Sequence, residues 1–306
     1  MSQRKIYLVT GATSGIGLET AIFLSKADRA SRIVAGVRKP STAAALRTAL
    51  PEDQLTLLAL DTSSLESVKN FAAEVRAILV SDTLAGVAFN AGVQIVSADQ
   101  YSVDGHELTF ATNVLGHIAL NQYLQPAFSP STIIVSTASG THDKDHKLAK
   151  PYKFYGGFFP SAELVAAGKV SDAKEAAQVG RDRYATSKLC NILFTYAMGR
   201  KHGADGPRYI AFDPGLMPGT ELARDQPAAL RFAWKNILPT AAKLIDGAST
   251  AKQSGAMLAQ ILMGQQSPDG TALHLEFTGK AIPSSSSSYD DATQDALMEW
   301  AEHRIA

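Results

Sequence analysis

The sequence has 306 residues, of which 29 are Lys or Arg and 29 are Asp or Glu, so its formal net charge is zero. Apolar residues make up 45% and charged residues 19%, as in packed globular proteins, and the zero charge gives no electrostatic footprint for nucleic acid. The single cysteine, Cys190, excludes an intrachain disulfide and a cysteine-rich metal site, and no run of roughly 18 apolar residues predicts a membrane span.

Short apolar, β-branched runs alternate with longer segments of helical periodicity. The predicted strands are 5–10, 31–37, 55–60, 85–90, 132–138, 207–212 and 272–277. The predicted helical segments include 15–26, 64–80, 105–125 and 290–304. This alternation predicts the α/β class: a single Rossmann-type domain over 1–306, whose doubly wound parallel sheet lies between two layers of helices. The first strand begins too early to leave room for a signal peptide, so we expect a cytoplasmic protein.

Two long segments interrupt the alternation. Residues 141–182 form a polar, glycine-containing insertion before the next firm helix, and residues 218–249 form an apolar excursion. We predict that both wall a substrate pocket, with 218–249 as a lid rather than a subunit contact or a membrane-facing patch. Their aromatic side chains suit a bulky apolar substrate, or they simply pack the insertion against the body of the protein. These aromatic residues are Tyr152, Phe154, Tyr155, Phe158, Phe159, Phe232 and Trp234.

The first strand runs into a glycine-rich turn that opens a helix. Glycines let the backbone turn tightly and approach a pyrophosphate, whose charge then meets the N-terminus of the helix. Such a turn alone is a weak signal, but its place between a strand and a helix is the context that a dinucleotide site requires. The residues predicted to hold the dinucleotide here are Gly11, Thr13, Ser14, Gly15, Ile16 and Gly17.

The glycine spacing, Gly-x3-Gly-x-Gly, and the later motifs resemble those of the short-chain dehydrogenase/reductase family over essentially the whole chain. The later motifs are Asp61, Asn90-Ala91-Gly92, Asn113, Ser139, Tyr184-x3-Lys188 and Pro214-Gly215. The resemblance implies that Asp61 meets the adenine and that Asn90, with Ala91 and Gly92, lies beside the adenosine ribose. It also implies that Pro214, Gly215 and Thr220 lie against the nicotinamide end of the cofactor.

The end of the second predicted strand favours NADP(H) over NAD(H). An NAD site needs a carboxylate there to bond the ribose 2′-hydroxyl. The position where the family places that acid is Val37, and Arg38 and Lys39 follow it. A guanidinium can bind a 2′-phosphate and stack on adenine. The alternative is that Arg38 and Lys39 are ordinary solvated surface charges.

Tyr184 and Lys188 are four residues apart in a helical pattern and therefore share one helix face. A tyrosine phenol has a pKa of about 10, too high for efficient acid–base work at neutral pH, and a nearby ammonium lowers that pKa. We therefore predict that Tyr184 exchanges a proton with a carbonyl or alcohol oxygen. Lys188 is predicted to lower the tyrosine pKa and to hold the nicotinamide ribose.

A hydroxyl side chain and an amide side chain are predicted to complete the catalytic site. Ser139 is predicted to hydrogen-bond the substrate oxygen as charge develops there, with Thr137 as the fallback. The resemblance implies that Asn113 holds a water that relays protons to Lys188, which completes a Ser-Tyr-Lys-Asn tetrad. His117 is expected to be a packing or helix-surface residue.

Within the family, the chain most resembles protochlorophyllide reductase-like and retinol dehydrogenase-like members. The likeness rests on Tyr184-x2-Ser187-Lys188-x-Cys190-Asn191 and on the long insertion before it. Protochlorophyllide reductases have a cysteine directly after the Pro-Gly pair, where this chain has Leu216. We therefore predict an NADPH-dependent carbonyl reductase that interconverts a ketone or aldehyde and an alcohol. The alternatives are a C=C reductase acting on an enone or a tetrapyrrole-like ring, and a non-catalytic NADPH-binding sensor.

The expected partner is a small-molecule carbonyl or alcohol substrate, with no nucleic acid and no membrane span. No histidine spacing predicts a metal site. Family members often assemble through the helices that carry Asn113 and Tyr184. The insertion 141–182 enters beside the second of these helices and could obstruct that contact, so a monomer and a homodimer both stay open.

Overall fold

Seven strands form one sheet in the computed structural model, which describes residues 4–79, 82–96, 99–217, 247–266, 270 and 272–305. The strands are β1 (Lys5–Thr10), β2 (Arg32–Val37), β3 (Leu55–Ala59), β4 (Thr83–Phe89), β5 (Ile133–Thr137), β6 (Arg208–Asp213) and β7 (Ala272–Glu276). They lie in the order β3-β2-β1-β4-β5-β6-β7, and every neighbouring pair is parallel. This is the predicted doubly wound, Rossmann-type arrangement, and the predicted strand ends are correct to within two residues.

Helices connect and cover the strands. In the described part of the chain we number them α1 (Gly15–Ala27), α2 (Ala44–Ala49), α3 (Leu65–Ile78), α4, α5 (Ala162–Ala166), α6 (Ala176–His202), α7 (Ala251–Leu262) and α8 (Asp291–Ile305). The helix α4 consists of three consecutive pieces, namely Leu108–Phe110, a π-helical piece Ala111–Leu115, and Gly116–Leu124. The sequence predicted α1, α3, α4 and α8 but not α2, α5 or α7.

Side chains of the buried strands alternate between two apolar layers. In β1, Ile6 and Leu8 belong to one buried cluster and Tyr7 and Val9 belong to another. The first cluster is completed by α3, α4, α5, α6 and α8, and the second by α1, α2 and α7. The sheet is therefore buried on both faces, as the apolar runs of the sequence predicted. The carboxyl ends of its strands meet at one edge, where the strand order reverses between β1 and β4.

The insertion is shorter than the sequence predicted. The helix that carries Tyr184 begins at Ala176, inside the predicted 141–182. The prediction missed its first two turns because Gly180 and the polar residues around it interrupt the apolar periodicity. The segment before it packs closely on α6: a Cβ on Gly157 would lie 2.7 Å from Leu189 Cβ. Most of the predicted lid 218–249, including Phe232 and Trp234, lies outside the described residues. The lid and the single domain over 1–306 both stay predictions.

Gly116 marks the closest approach of α4 to the segment after β3. A Cβ at this position would lie 1.9 Å from the carbonyl oxygen of Thr62. In an unconstrained helix, replacing Gly by Ala raises stability. A loss of stability at Gly116 would therefore show that this close contact with Thr62 exists. We expect Gly116→Ala to lower the free energy of unfolding by about 2 kcal/mol, measured by urea denaturation. An unchanged or increased stability would contradict this packing.

Candidate active site

A cavity of about 1400 Å³ opens at the carboxyl edge of the sheet. It brings together most of the predicted site residues. Those in its wall are Gly11, Thr13, Ser14, Gly15, Ile16, Arg38, Asp61, Asn90, Ala91, Gly92, Ser139, Tyr184, Lys188, Pro214 and Gly215. Gly17, Lys39 and Asn113 do not line it, and Thr220 lies outside the described residues.

The glycine-rich turn between β1 and α1 has no room for side chains. Gly11 has a φ of +67°, and a Cβ there would lie 2.8 Å from Ala91 Cα. A Cβ on Gly17 would lie 2.5 Å from the carbonyl oxygen of Gly11. Ser14, which precedes α1, makes no capping hydrogen bond through its side chain, so the first amide groups of the helix have no capping side chain. This cradle therefore fits a pyrophosphate at the helix N-terminus.

The segment that follows β4 holds the glycine-rich turn in place. Thr10 Oγ1 accepts hydrogen bonds from the amides of Asn90 and Ala91, both at 2.9 Å. In return, Asn90 Nδ2 donates to the carbonyl oxygen of Thr10 at 3.0 Å. The side chain of Asn90 therefore holds the two loops together, and its predicted place beside the ribose stays a prediction.

The two basic residues after β2 differ in position. Arg38 is exposed and lines the cavity, and it forms no ion pair with the residues that the structure describes. Lys39 is exposed but does not line the cavity, and its carbonyl oxygen accepts from Thr42 Oγ1 at 2.9 Å. Asp61 lies in the cavity wall beyond β3, where its Oδ1 accepts from Ser63 N at 2.9 Å. Arg38 thus lines the cavity and Lys39 does not, and the phosphate-binding role of each stays a prediction.

Tyr184, Lys188 and Ser139 meet at the other end of the cavity. The first two lie on α6, and only 7% of Tyr184 and 4% of Lys188 is exposed. Ser139 lies close enough to Tyr184 for its hydroxyl to lower the pKa of the phenol. Lys188 Nζ lies 5.5 Å from the centre of the Tyr184 ring and donates to the carbonyl oxygen of Thr137 at 2.8 Å.

The geometry favours Ser139 over Thr137 as the hydroxyl beside the substrate. The carbonyl oxygen of Thr137 accepts from Lys188 and also from Asn191 Nδ2, at 3.0 Å. The Thr137 hydroxyl is buried and has no hydrogen-bond partner among the described residues. Of these two hydroxyls, that of Ser139 is the one that lowers the pKa of the Tyr184 phenol.

Burial controls the protonation of the pair on α6. Burial, reinforced by the negative charge of Asp213, raises the pKa of Tyr184 above its usual range, and the nearby hydroxyl of Ser139 only partly opposes this. Burial lowers the pKa of Lys188 to about 8, against the opposing effect of Asp213. The pKa of Tyr184 is therefore raised and not lowered as expected, Lys188 is not among the groups that shift it, and Tyr184 is a protonated phenol in the free site.

Asp213 was not among the predicted site residues, although its place directly before the Pro-Gly pair was a signal. Only 5% of this residue is exposed, and its Oδ1 accepts from Gly215 N at 2.9 Å. Its charge raises the pKa of both Tyr184 and Lys188. The carboxylate therefore favours the protonated form of each group.

The direction of these two pKa shifts predicts how Asp213→Asn changes the pH dependence of catalysis. Removing the charge lowers the pKa of Tyr184 and of Lys188, so protonated tyrosine is lost at lower pH. We expect the alkaline limb of the kcat–pH profile for ketone reduction to move down by about one pH unit. The control is Asp145→Asn, an exposed acid outside the cavity wall, whose profile should match the wild type. An alkaline limb that stays in place or moves up would show that Asp213 does not tune the pair.

Asn113 lies behind the cavity wall in the π-helical piece of α4 and is fully buried. Its Oδ1 accepts from Val93 N at 2.8 Å, and its Nδ2 donates to Val93 O and to Ser187 Oγ, both at 3.0 Å. Its carbonyl oxygen lies 3.1 Å from Nδ1 of His117. The amide thus fastens the segment after β4 to α6, and the proton relay implied by the resemblance stays a prediction.

The packing role expected for His117 is confirmed. Its ring is buried and stacks on Phe89 with ring centroids 5.1 Å apart, and its Nε2 lies 3.1 Å from Thr10 Oγ1. Burial lowers its pKa to about 3. In the part of the chain that the structure describes, no cluster of His, Cys, Asp or Glu could hold a metal ion. Within the same part, no helix is both long and apolar enough to cross a membrane.

The substrate end of the cavity is largely apolar. Phe154 lies against Tyr184 with ring centroids 6.0 Å apart. Tyr155 and Phe158 are exposed and do not line the cavity, and Phe159 packs on the core, so these three do not form the pocket expected of them. The further apolar wall consists of Ile95, Leu108, Leu148, Ala149, Pro151, Tyr152, Leu216 and Met217.

Comparisons with known proteins agree with the motifs. A family model described as short chain dehydrogenase matches residues 5–153. The chain is 28% identical over 269 residues to protochlorophyllide reductase B, chloroplastic, of Oryza sativa subsp. japonica, which covers 83% of this chain and 65% of that protein. It is 31% identical over 240 residues to a short chain dehydrogenase of Gibberella zeae, which covers 73% and 64%. The chain thus spans somewhat less than two thirds of the length of these relatives.

Solved structures share the fold. The NADPH-bound carbonyl reductase from chicken fatty liver matches with a TM-score of 0.64 and 21% identity, covering 92% of this chain and 95% of that one. A short-chain dehydrogenase from Streptomyces avermitilis matches with a TM-score of 0.56 and 18% identity, covering 98% and 94%. The family model, the curated relatives and the order of the motifs together show that the chain belongs to the short-chain dehydrogenase/reductase family.

Proposed function

We propose that this protein is an NADPH-dependent carbonyl reductase, which interconverts a ketone or aldehyde and the corresponding alcohol. The observation that carries the proposal is the grouping of Tyr184, Lys188 and Ser139 at one end of a cavity whose other end is the glycine-rich turn, with Tyr184 held as a protonated phenol. Membership of an oxidoreductase family and the carbonyl reductase among its structural neighbours support it.

The two hydroxyl groups act on one oxygen. A substrate carbonyl oxygen beside them accepts a hydrogen bond from Ser139 and one from Tyr184, which polarises the C=O bond. A nicotinamide bound in the cavity supplies a hydride to the carbonyl carbon. Tyr184 gives its proton to the oxygen as negative charge develops there, and Lys188 stabilises the phenolate that remains. In alcohol oxidation the same proton moves in the opposite direction.

The preference for NADP(H) rests on Arg38. Its guanidinium lies in the cavity wall beyond β2 and has no ion-pair partner in the described residues. A 2′-phosphate would supply that partner. The structural neighbour from chicken fatty liver is bound to NADPH. Lys39 was predicted to share this role, but it lies outside the cavity wall, so the proposal rests on Arg38 alone.

A second candidate function is C=C reduction, which the protochlorophyllide reductases among the relatives favour. The residue directly after Gly215 is Leu216, which lines the cavity and carries no acid or thiol. No group at that position can therefore protonate a carbon atom, whereas Tyr184 and Ser139 can both serve an oxygen. A sensor without turnover is disfavoured because the hydroxyls of Tyr184 and Ser139 and the ammonium of Lys188 are all in place.

The experiment that tests the proposal compares NADPH oxidation with a panel of bulky ketones and aldehydes, and with one enone and its matched saturated ketone. We expect turnover of the saturated ketone at a kcat/KM equal to or above that of the enone. Turnover of the enone alone would favour the C=C reductase, and NADPH binding without any turnover would favour the sensor.

We also propose that the protein is a monomer. Helix α8 packs on α6 and also contacts α4 and α5, so it covers the helices through which family members often assemble. Its Leu297 and Ala301 are fully buried there. Light scattering during gel filtration is expected to give the mass of one chain, and the mass of two chains would refute this proposal. The cytoplasmic location expected from the sequence stays a prediction.

A further inference from the structure

One guanidinium lies beside the reacting end of the cavity. Arg181 precedes Tyr184 by three residues on α6, so the two side chains share a helix face with their Cβ atoms about 5–6 Å apart. Both line the cavity. The adjoining Gly180 holds this part of α6 against the segment after β4, because a Cβ there would lie 2.2 Å from the carbonyl oxygen of Ile95. Arg181 therefore lies on the substrate side and not at the glycine-rich turn.

A neutral amide holds one edge of this guanidinium. Gln178 Oε1 accepts from Arg181 Nε at 3.1 Å and from Arg181 Nη2 at 2.9 Å. A guanidinium carries five N–H donors in a planar fork. The contact with Gln178 uses two of them and leaves the edge formed by Nη1 and Nη2. That edge presents two parallel N–H groups, which is the arrangement that binds a carboxylate through both of its oxygens.

Gln178 is itself fixed by its neighbours. Its Nε2 donates to Asp182 Oδ1 at 2.7 Å and to the carbonyl oxygen of Lys153 at 3.0 Å. The other carboxylate oxygen of Asp182 accepts from the hydroxyl of Ser171. These bonds turn the amide oxygen of Gln178 toward Arg181 and occupy Asp182, which forms no ion pair with the guanidinium.

Positive charge is in excess at this end of the cavity. Lys153 also lines the wall here. Of the acids that line the cavity in the described ranges, Asp61 lies at the nucleotide end, and Asp213 is buried with its charge acting on Tyr184 and Lys188. No described carboxylate forms an ion pair with Arg181.

We propose that the free edge of Arg181 binds a carboxylate of the substrate. The substrate class is then a carbonyl compound with an apolar body, which lies against Phe154 and its neighbours, and an acidic group about one helical turn, roughly 5 Å, from the reacting carbonyl. This inference rests on the proposed function and narrows it. The planar fork explains why arginine suits this position, since a lysine offers only a point charge.

The test uses a matched pair of ketones, 4-oxo-4-phenylbutanoate and its methyl ester, with NADPH oxidation as the readout. The wild-type protein should show a kcat/KM for the acid about tenfold or more above that for the ester. Arg181→Met should lower this acid-to-ester ratio about tenfold or more, chiefly through the KM for the acid. The control Lys174→Met removes the same charge from an exposed residue outside the cavity wall and should leave the ratio at the wild-type value.

The outcomes distinguish a failure of the carboxylate site from a failure of the proposed carbonyl reductase activity. Turnover of the ester at least as good as that of the acid, or an unchanged ratio in Arg181→Met, overturns the carboxylate site and leaves carbonyl reduction standing. Without turnover of either ketone the proposed function fails, and calorimetry of the NADPH-loaded protein then decides the carboxylate site. Binding of the acid that is lost in Arg181→Met supports the site, and absence of binding to the wild type overturns it. Thermal unfolding of each variant confirms that it is folded.

Discussion

Replacing Tyr184 by phenylalanine is expected to lower kcat for ketone reduction by about 10³-fold, because the variant cannot donate a proton to the developing alkoxide. The ring remains, so its packing against Phe154 and the position of Lys188 should persist. We therefore expect the Kd for NADPH, measured by the fluorescence of the reduced nicotinamide, to change by less than about threefold. Loss of chemistry without loss of binding separates a proton donor from a residue that only shapes the site.

Tyr155→Phe is the matched control for this prediction. It removes the same hydroxyl from an exposed tyrosine that does not line the cavity, and it should leave kcat at the wild-type value. A Tyr184→Phe enzyme that keeps more than about a tenth of the wild-type kcat would end the proposed mechanism. Loss of NADPH binding in the same variant would instead assign Tyr184 to the cofactor site alone.

Arg38→Leu is expected to raise the KM for NADPH by about 10- to 100-fold and to leave the KM for NADH nearly unchanged. A charge-assisted bond to a phosphate contributes about 1.5–3 kcal/mol, and only NADPH carries the 2′-phosphate. The measurement is the ratio of kcat/KM for the two cofactors with one ketone. The ratio should fall toward one in the variant.

Lys39→Leu gives the comparison within the same loop. Its side chain does not line the cavity, so the cofactor ratio should change by less than about threefold. An equal loss for NADPH and NADH in Arg38→Leu would mean that the guanidinium stacks on adenine and does not read the phosphate. A larger effect for Lys39 than for Arg38 would reverse the assignment of the two residues.

The strands were predictable from the sequence because each is a short run that is apolar on both faces. In β1, Ile6, Leu8, Tyr7 and Val9 are all buried, on alternate sides of the sheet. A parallel sheet covered on both sides requires this pattern, and few other structures produce it. The doubly wound, parallel arrangement followed from the alternation of strands and helices, whereas the order of the strands came only from the structure.

Helix α7 was not predicted, and Gly255 shows why. Glycine is a poor helix former, so it weakens the local signal. In the structure a Cβ at this position would lie 2.5 Å from Glu19 Cβ, which places the glycine at the crossing of α7 and α1. A residue that disfavours the helix locally is thus required by a neighbour more than 200 positions away. The π-helical piece at Asn113 depends in the same way on contacts with Val93 and Ser187.

The motifs of the candidate site were predictable from the sequence, but the surroundings of each side chain were not. Arg38 and Lys39 were predicted to bind the same phosphate, and only the structure shows that Arg38 lines the cavity and Lys39 does not. No role was predicted for Asp213 or Arg181, because their importance depends on what surrounds them. Asp213 matters because it is buried beside Tyr184, and Arg181 because its nearest partner is an amide instead of a carboxylate.

The central claim is that this site delivers hydride to a carbonyl carbon. The most direct measurement follows deuterium from NADPH labelled at the nicotinamide C4 into a bulky enone, with the product identified by NMR and mass spectrometry. We predict an allylic alcohol that carries deuterium on the carbinol carbon. A saturated ketone with deuterium on the β-carbon would contradict the claim and identify the protein as a C=C reductase.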